Sequence, residues 1–151
     1  MNELLEIEKI KQLKARYVRG LDTNDWDTFG STLRDSCMAE YSGGKYSFDG
    51  REAIVKFMSE NLSGDNMLTM HQVHSPEIEF FGELKAKALW YLEDTVINIE
   101  HNTRIYGAGI YHDEYEKVNG HWLISRTGYQ RTFECAEPLD KDHKVIQNMF
   151  A

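Results

Sequence analysis

Two histidines stand near the start of a segment that is typical of a β-strand. The segment covers residues 69–81 and has the sequence T-M-H-Q-V-H-S-P-E-I-E-F-F. Because side chains alternate along a strand, His71 and His74 point to opposite faces of the sheet, and only one of them can face its interior. A neutral imidazole whose other nitrogen is held by a carboxylate can remove a proton from a substrate. We therefore predict that His71 is a catalytic base and that Asp22 is its partner.

Asp22 stands at the end of the first predicted helix, residues 3–22, whose apolar side chains recur at spacings of three and four. Tyr17 lies on the same buried stripe, one turn earlier. A carboxylate is unfavourable at a helix C-terminus, because that end of the helix dipole prefers cations, so another group is expected to hold it. The alternative is that Asp22 only begins the turn D-T-N-D, which is a common use of aspartate.

Other familiar catalytic patterns are absent from the sequence. H-Q-V-H is not the zinc motif H-E-x-x-H, and there is no glycine-rich phosphate motif and no G-x-S-x-G motif. The two cysteines, Cys37 and Cys135, have neither disulfide nor zinc spacing, which is typical of a reducing compartment. We therefore predict acid–base chemistry without metal or cofactor, in a cytoplasmic protein.

The composition limits the size and the partners of the domain. With 151 residues, of which 41% are hydrophobic, the chain is expected to form one domain over residues 1–151 with a sizeable core. The net charge of -8 argues against nucleic acid and anionic membranes, which attract basic proteins. The sequence has no apolar run of membrane-spanning length and no signal-peptide pattern.

The order of the predicted elements indicates an α+β fold. Three helices and an early hairpin around Gly43 and Gly44 precede four long strands. We predict a cone-shaped α+β barrel, with the N-terminal helices packed in a strongly curved antiparallel sheet. The four long strands are predicted at residues 69–81, 84–99, 103–117 and 121–133, and a polar tail follows from residue 134.

The alternation of side chains along the strands predicts which residues face the inside of the cone. Trp90 shares a face with Asp94, which lies either at the wet rim or buried beside a cation. Arg126 and Arg131 are the candidate cations, and the choice between them depends on whether Gly128 carries a bulge. A bulge is also expected at Pro76, because proline cannot donate to the strand ladder.

Several segments together resemble the SnoaL-like branch of the nuclear-transport-factor-2-like superfamily. They are R-G-L-D-T-N-D-W-D-T-F at 19–29, G-R-E-A-I at 50–54, H-Q-V-H-S-P-E-I at 71–78, Y-H-D-E-Y-E-K-V-N-G-H-W at 111–122 and S-R-T at 125–127. The resemblance covers about residues 7–133. It is strongest to cofactor-independent lyases of the scytalone dehydratase, bile-acid 7-alpha-dehydratase and hexachlorocyclohexane dehydrochlorinase type.

The resemblance implies roles for individual residues. Asp22 and His71 fall on the histidine–aspartate pair of these lyases, and Tyr17 and Tyr41 fall on tyrosines that act beside it. Tyrosine rather than lysine at position 17 favours loss of water over dehalogenation. The implied substrate-binding residues are Asp94 and either Arg131 or Arg126, and Trp90 joins them as a wall residue of the cone.

The resemblance also implies an activity and an assembly. The expected reaction is the dehydration of a small hydrophobic, hydroxylated carbonyl compound of polyketide or steroid type. An isomerase or cyclase, or a domain that only binds a ligand or dimerises, remains the alternative, because one fold serves many functions. A homo-oligomer is expected, with a trimer favoured over a dimer.

Overall fold

Three helices and six strands make up the chain, and the computed structural model describes all residues from 1 to 151. The helices are α1 (Glu3–Asp22), α2 (Trp26–Ser31) and α3 (Arg51–Leu62). The strands are β1 (Leu33–Tyr41), β2 (Tyr46–Asp49), β3 (Met67–Phe80), β4 (Lys85–Asn98), β5 (Thr103–Val118) and β6 (His121–Pro138). The predicted α+β class, with helices packed against a curved sheet, is confirmed.

The sheet is mixed and open, which corrects the antiparallel barrel expected from the sequence. Its strand order is β2-β1-β6-β5-β4-β3, so β2 and β3 are free edges. All neighbours are antiparallel except β1 and β6, which run parallel. The first strand thus pairs with the last one. Local periodicity gives no information about the direction of such a distant pairing.

The local predictions near the loops have different outcomes. The bulge expected at Pro76 is confirmed, because the β3–β4 register shifts between His74 and Glu77. The N-cap of α2 is Asp25, whose side chain accepts a hydrogen bond from the Thr28 amide at 3.0 Å. Strand β6 continues beyond the predicted end at residue 133 to Pro138, so the first residues of the predicted tail belong to the sheet.

Helix α1 lies in the hollow of the sheet and supplies one wall of the core. Asn2 caps it by accepting a hydrogen bond from the Leu5 amide, as its position before the apolar stripe predicts. The stripe buries its apolar side chains in the core shared with the sheet, namely Ile10, Leu13, Tyr17 and Leu21. No helix of the chain is both long enough and apolar enough to cross a membrane.

Glu6 links the N-terminal end of α1 to β5 and β6. This contact lies at the opposite end of the helix from Asp22. The Glu6 carboxylate accepts hydrogen bonds from Lys117 Nζ and Lys9 Nζ, each at 2.9 Å, and from Trp122 Nε1. The hydrogen bonds from Lys117, Lys9 and Trp122 lower the pKa of Glu6 from 4.5 to about 2. The ionised carboxylate is therefore bound more favourably in the folded chain than in the unfolded one.

We expect Glu6→Gln to destabilise the protein at neutral pH and to have less effect in acid. A carboxyl whose pKa is lower in the folded state stabilises the fold above its unfolded-state pKa, and this contribution is lost as the pH falls from 4.5 towards about 2. Urea unfolding of both proteins from neutral pH to about pH 3 measures the difference in stability. A difference that stays constant over this range would contradict the assignment.

Candidate active site

The Asp22 carboxylate joins the end of α1 to β3. Its Oδ1 accepts hydrogen bonds from Thr69 Oγ1 at 2.8 Å and from His71 Nδ1 at 2.7 Å, and its Oδ2 accepts from the His71 backbone amide at 2.8 Å. All three bonds cross to β3, and none goes to the turn that follows the helix. The groups that offset the unfavourable position of Asp22 at the helix terminus are therefore three donors on the neighbouring strand.

The contact with Asp22 fixes the chemical state of the neutral His71 ring. A carboxylate only accepts hydrogen bonds, so Nδ1 must carry the ring proton and Nε2 keeps its lone pair. Nε2 has no hydrogen-bond partner in the protein and stays open to solvent. The His71 side chain is 12% exposed, so it is neither sealed in the core nor freely solvated. This arrangement is suited to accepting a proton from a bound molecule.

An ion pair between Asp94 and Arg131 lies beside His71. Asp94 stands directly opposite His71 in the β3–β4 register, on the inner face of the sheet. Arg131 Nη2 donates to Asp94 Oδ2 at 2.8 Å, and Nη1 contacts Asp94 Oδ1. Burial disfavours the Arg131 cation, but the hydrogen bonds and the charge of Asp94 outweigh burial and raise the pKa of Arg131. The rim position considered for Asp94 is wrong, since its side chain is only 5% exposed.

A glycine on β5 makes the ion pair possible. Asp94 belongs to β4 and Arg131 to β6, so the pair must cross the strand between them. Gly107 of β5 lies opposite Asp94, and a Cβ there would come within 3.3 Å of Arg131 Nη1 and 2.4 Å of the Phe133 carbonyl oxygen. The absence of a side chain at Gly107 thus leaves space for the guanidinium.

Bulges in β6 decide which arginine faces inward. The β5–β6 register shifts at Ser125 and again at Thr132, and not at Gly128. The extra residue at Ser125 reverses the alternation, so Arg131 turns inward. Arg126 turns outward, where its Nη2 donates to Glu40 Oε1 at 2.6 Å. The structure therefore keeps Arg126 out of the candidate site, and the bulge that selects Arg131 lies at Ser125 rather than at Gly128.

Tyr17 and Tyr41 form a hydroxyl pair in the core. Their hydroxyl groups are 2.8 Å apart, and both side chains are fully buried. Burial raises the pKa of Tyr17 and of Tyr41, so both phenols stay protonated at neutral pH. Tyr111 packs edge-on against Tyr17, with ring centroids 6.1 Å apart. The two hydroxyl groups are able to donate a proton, but a ligand reaches them only if neighbouring side chains move.

Trp90 lies on the inner face, as the alternation of β4 predicts, but deep in the core. Its Nε1 donates to the Tyr115 hydroxyl at 3.0 Å. Four residues separate Trp90 from Asp94, or about 13 Å along an extended strand. The structure therefore does not bring Trp90 together with the His71 group.

A buried ion pair beneath the tyrosines has no counterpart in the predictions. Lys14 Nζ lies 2.7 Å from Asp113 Oδ2, and both side chains are completely buried. The Lys14 ammonium also lies 3.5 Å from the Tyr111 ring centroid and 4.3 Å from that of Tyr17. Thr127 Oγ1 donates to Asp113 at 2.7 Å. Burial lowers the pKa of Lys14, and the carboxylate of Asp113 opposes this effect.

The outer face of the sheet carries two open depressions, and the lining of the smaller one includes Asp94 and Gly107. A groove of about 640 Å³ is lined by side chains that include Leu89 and His112. A smaller depression of about 230 Å³ lies near His74 and Tyr91. His71, Tyr17 and Tyr41 line neither of them. No three His, Cys, Asp or Glu side chains converge in a way that would hold a metal ion.

Comparison with known proteins identifies the family. The model of the SnoaL-like domain matches residues 2–128, so the chain belongs to the SnoaL-like family. Its architecture is a cone-like α+β fold of the nuclear-transport-factor-2-like type. The resemblance stated from the sequence motifs is thus confirmed.

Individual relatives are distant in sequence but similar in fold. A relative named "Probable cyclase FGR4", from Gibberella zeae, is 24% identical over 136 residues, which cover 82% of this chain and 89% of that protein. A crystal structure of hexachlorocyclohexane dehydrochlorinase LinA type 2 superposes with a TM-score of 0.82 at 21% identity and covers 95% of each chain. A candidate scytalone dehydratase from Novosphingobium aromaticivorans superposes with a TM-score of 0.80 at 20% identity, over 97% of this chain and 93% of that one.

The Lys14–Asp113 pair yields a prediction about stability. Lys14→Met leaves the Asp113 carboxylate buried without its cation, and such a loss typically costs about 3–5 kcal/mol. The double variant Lys14→Met/Asp113→Asn removes both charges and is expected to lose much less. Chemical denaturation of the two single variants and the double variant measures the coupling. Additive losses would show that the two side chains do not stabilise each other.

Proposed function

We propose that this protein is a cofactor-independent lyase that removes water from a small hydrophobic, hydroxylated carbonyl compound. The observation that carries the proposal is the state of the His71 ring. Its Nδ1 is hydrogen-bonded to Asp22 at 2.7 Å, while its Nε2 is open to solvent and has no protein partner. The names of the structural neighbours, a dehydrochlorinase and a candidate dehydratase, both describe eliminations. The position of Tyr17, where the dehydrochlorinase-type lyases carry lysine, supports water rather than chloride as the leaving group.

The reaction follows from the state of the His71 ring. Nε2 removes a proton from the carbon next to the carbonyl group, and Asp22 stabilises the imidazolium that forms. The electron pair of the broken C–H bond forms the new C=C bond, while the C–O bond to the hydroxyl group breaks. The departing hydroxyl group takes the proton that His71 has removed from carbon and leaves as water, and this transfer returns His71 to its neutral form. The products are an unsaturated carbonyl compound and water.

We assign Tyr17 and Tyr41 a supporting role in this reaction. Their raised pKa values keep both hydroxyl groups protonated, so either can donate a hydrogen bond to the departing oxygen. Because both side chains are fully buried, this help depends on movement of the surrounding residues. We therefore expect their contribution to the rate to be smaller than that of His71.

A variant series tests these roles. A screen of hydroxylated steroid-like and polyketide-like ketones, with product analysis, first identifies a substrate. His71→Gln is then expected to lower kcat by about 100- to 10,000-fold, the usual contribution of a general base. Asp22→Asn should also lower kcat strongly, and Tyr17→Phe should have a smaller effect.

Folded His71→Gln and Asp22→Asn variants with unchanged turnover would contradict the assignment. A matched control is His74→Gln, which changes the neighbouring histidine on the outer face of the same strand. That side chain is exposed beside Glu93, so its loss should leave the rate unchanged.

An isomerase or cyclase is the second candidate, and the relative named as a probable cyclase favours it. Both alternatives begin with the same proton abstraction by His71, but nothing leaves the substrate. Product mass separates the candidates, because dehydration removes one water and isomerisation removes nothing. A domain that only binds a ligand would leave every candidate substrate unchanged.

We also propose that the chain forms a homo-oligomer through the outer face of its sheet, with a trimer favoured. Leu89, Tyr91 and Phe133 are exposed on this face, and contiguous exposed apolar patches often mark protein–protein interfaces. Light scattering at micromolar concentration should give a mass close to three times the 17.6 kDa chain. Tyr91→Glu should lower that mass by placing a charge in the interface. A monomer mass for the unmodified protein would contradict the proposal.

A further inference from the structure

The charges around His71 are unbalanced towards the negative side. Asp22 and Asp94 both lie beside the ring, and Glu134 Oε2 is 3.0 Å from Arg131 Nε. Arg131 is the one arginine or lysine that pairs with this group of three carboxylates. With neutral His71 the group therefore carries two net negative charges. An approaching anion would meet repulsion in a partly buried setting, where charges are weakly screened.

The end of the Arg131 guanidinium is already occupied. Nη1 and Nη2 both contact the Asp94 carboxylate, one on each oxygen, in the forked geometry that arginine also uses to bind ligand carboxylates. The Asp94 side chain is 5% exposed and is fixed by its strand, so a ligand cannot easily displace it. Nε points towards Glu134 without the alignment of a hydrogen bond. The Arg131 guanidinium is thus suited to binding an anion, but Asp94 already occupies its two Nη groups.

We infer that Asp94 is a specificity-determining residue that makes the site select uncharged carbonyl compounds over carboxylates. The inference rests on the proposed function, because it places the ligand at His71. It excludes the use of Arg131 as the binding group for an acidic substrate. The Asp94 carboxylate disfavours the binding of a ligand carboxylate. Groups that disfavour the wrong ligand are a common source of specificity.

The test uses two ligands that share one carbon skeleton and differ in a single group, an anionic carboxylate in one and an uncharged methyl ester in the other. The probes are 3-oxoandrost-4-ene-17β-carboxylic acid and its methyl ester, which share one ring system and one ketone. Calorimetric titration at neutral pH measures the affinity of each. For the unmodified protein we expect the ester to bind at least about tenfold more tightly than the acid, a difference that one unfavourable charge contact readily supplies.

Three variants separate the role of Asp94 from that of net charge. Asp94→Asn frees the guanidinium fork and should shift the preference by about tenfold or more towards the acid. Glu134→Gln changes the net charge by the same amount, yet leaves Asp94 on the fork, so its preference should shift much less. Asp94→Asn/Arg131→Gln keeps the original net charge without any fork and should still prefer the ester. Near-ultraviolet circular dichroism checks that each variant is folded.

Three outcomes would overturn the inference, two in binding and one in turnover. Equal affinity of the unmodified protein for ester and acid overturns it without any variant, so the test survives if Asp94→Asn does not fold. An equal shift in Glu134→Gln and Asp94→Asn would assign the effect to net charge alone. Failure of the proposed function would look different from both of these binding outcomes. The protein would then bind the ester more tightly than the acid but would turn over no ketone. Turnover of acids and esters at equal rates would sink only the specificity claim.

Discussion

The organisation of this site depends on the three hydrogen bonds that Asp22 accepts from β3. They tie the end of α1 to the sheet, and they fix both the backbone and the ring of His71 relative to the helix. A carboxylate without these donors would be unfavourable at a helix C-terminus, so helix placement and histidine tautomer are set by the same contact. The structure thus places the candidate base on a strand and the group that orients it on a rigid helix.

Polar groups follow the buried side of α1 along its whole length. Near the start of the helix, Glu6 binds Lys9, Lys117 and Trp122. Further along, Lys14 pairs with Asp113, and the Tyr17 hydroxyl contacts that of Tyr41. At the end of the helix, Asp22 binds His71. Each buried charge has an opposite charge or several donors beside it, which offsets the large desolvation penalty of an isolated ion. The groups at Glu6, Lys14 and Tyr17 are buried. Only His71, beside the C-terminal end of the helix, presents an unpaired and accessible nitrogen. That contrast separates the structural polar contacts from the one suited to chemistry.

Sequence reasoning succeeded where one element determines the answer. Alternation in β4 placed Trp90 and Asp94 on the inner face, and the misplaced charge of Asp22 pointed to an external partner. It failed where two distant elements determine the answer. The bulge at Ser125 reversed the alternation of β6 and selected Arg131 over Arg126, and the parallel pairing of β1 with β6 leaves no local pattern. Lys14 had a signal, since it fits the spacing of Ile10, Tyr17 and Leu21, but its partner Asp113 lies 99 positions further along the chain.

The protonation state of the His71 ring tests the account most directly, because it requires no substrate. Long-range ¹H–¹⁵N correlation spectra, assigned with the His71→Gln variant, show which ring nitrogen carries the proton in the neutral form. The hydrogen bond to Asp22 predicts a protonated Nδ1 and a free lone pair on Nε2. A neutral ring protonated on Nε2 would contradict the account, because the nitrogen that faces the substrate would then be unable to accept a proton.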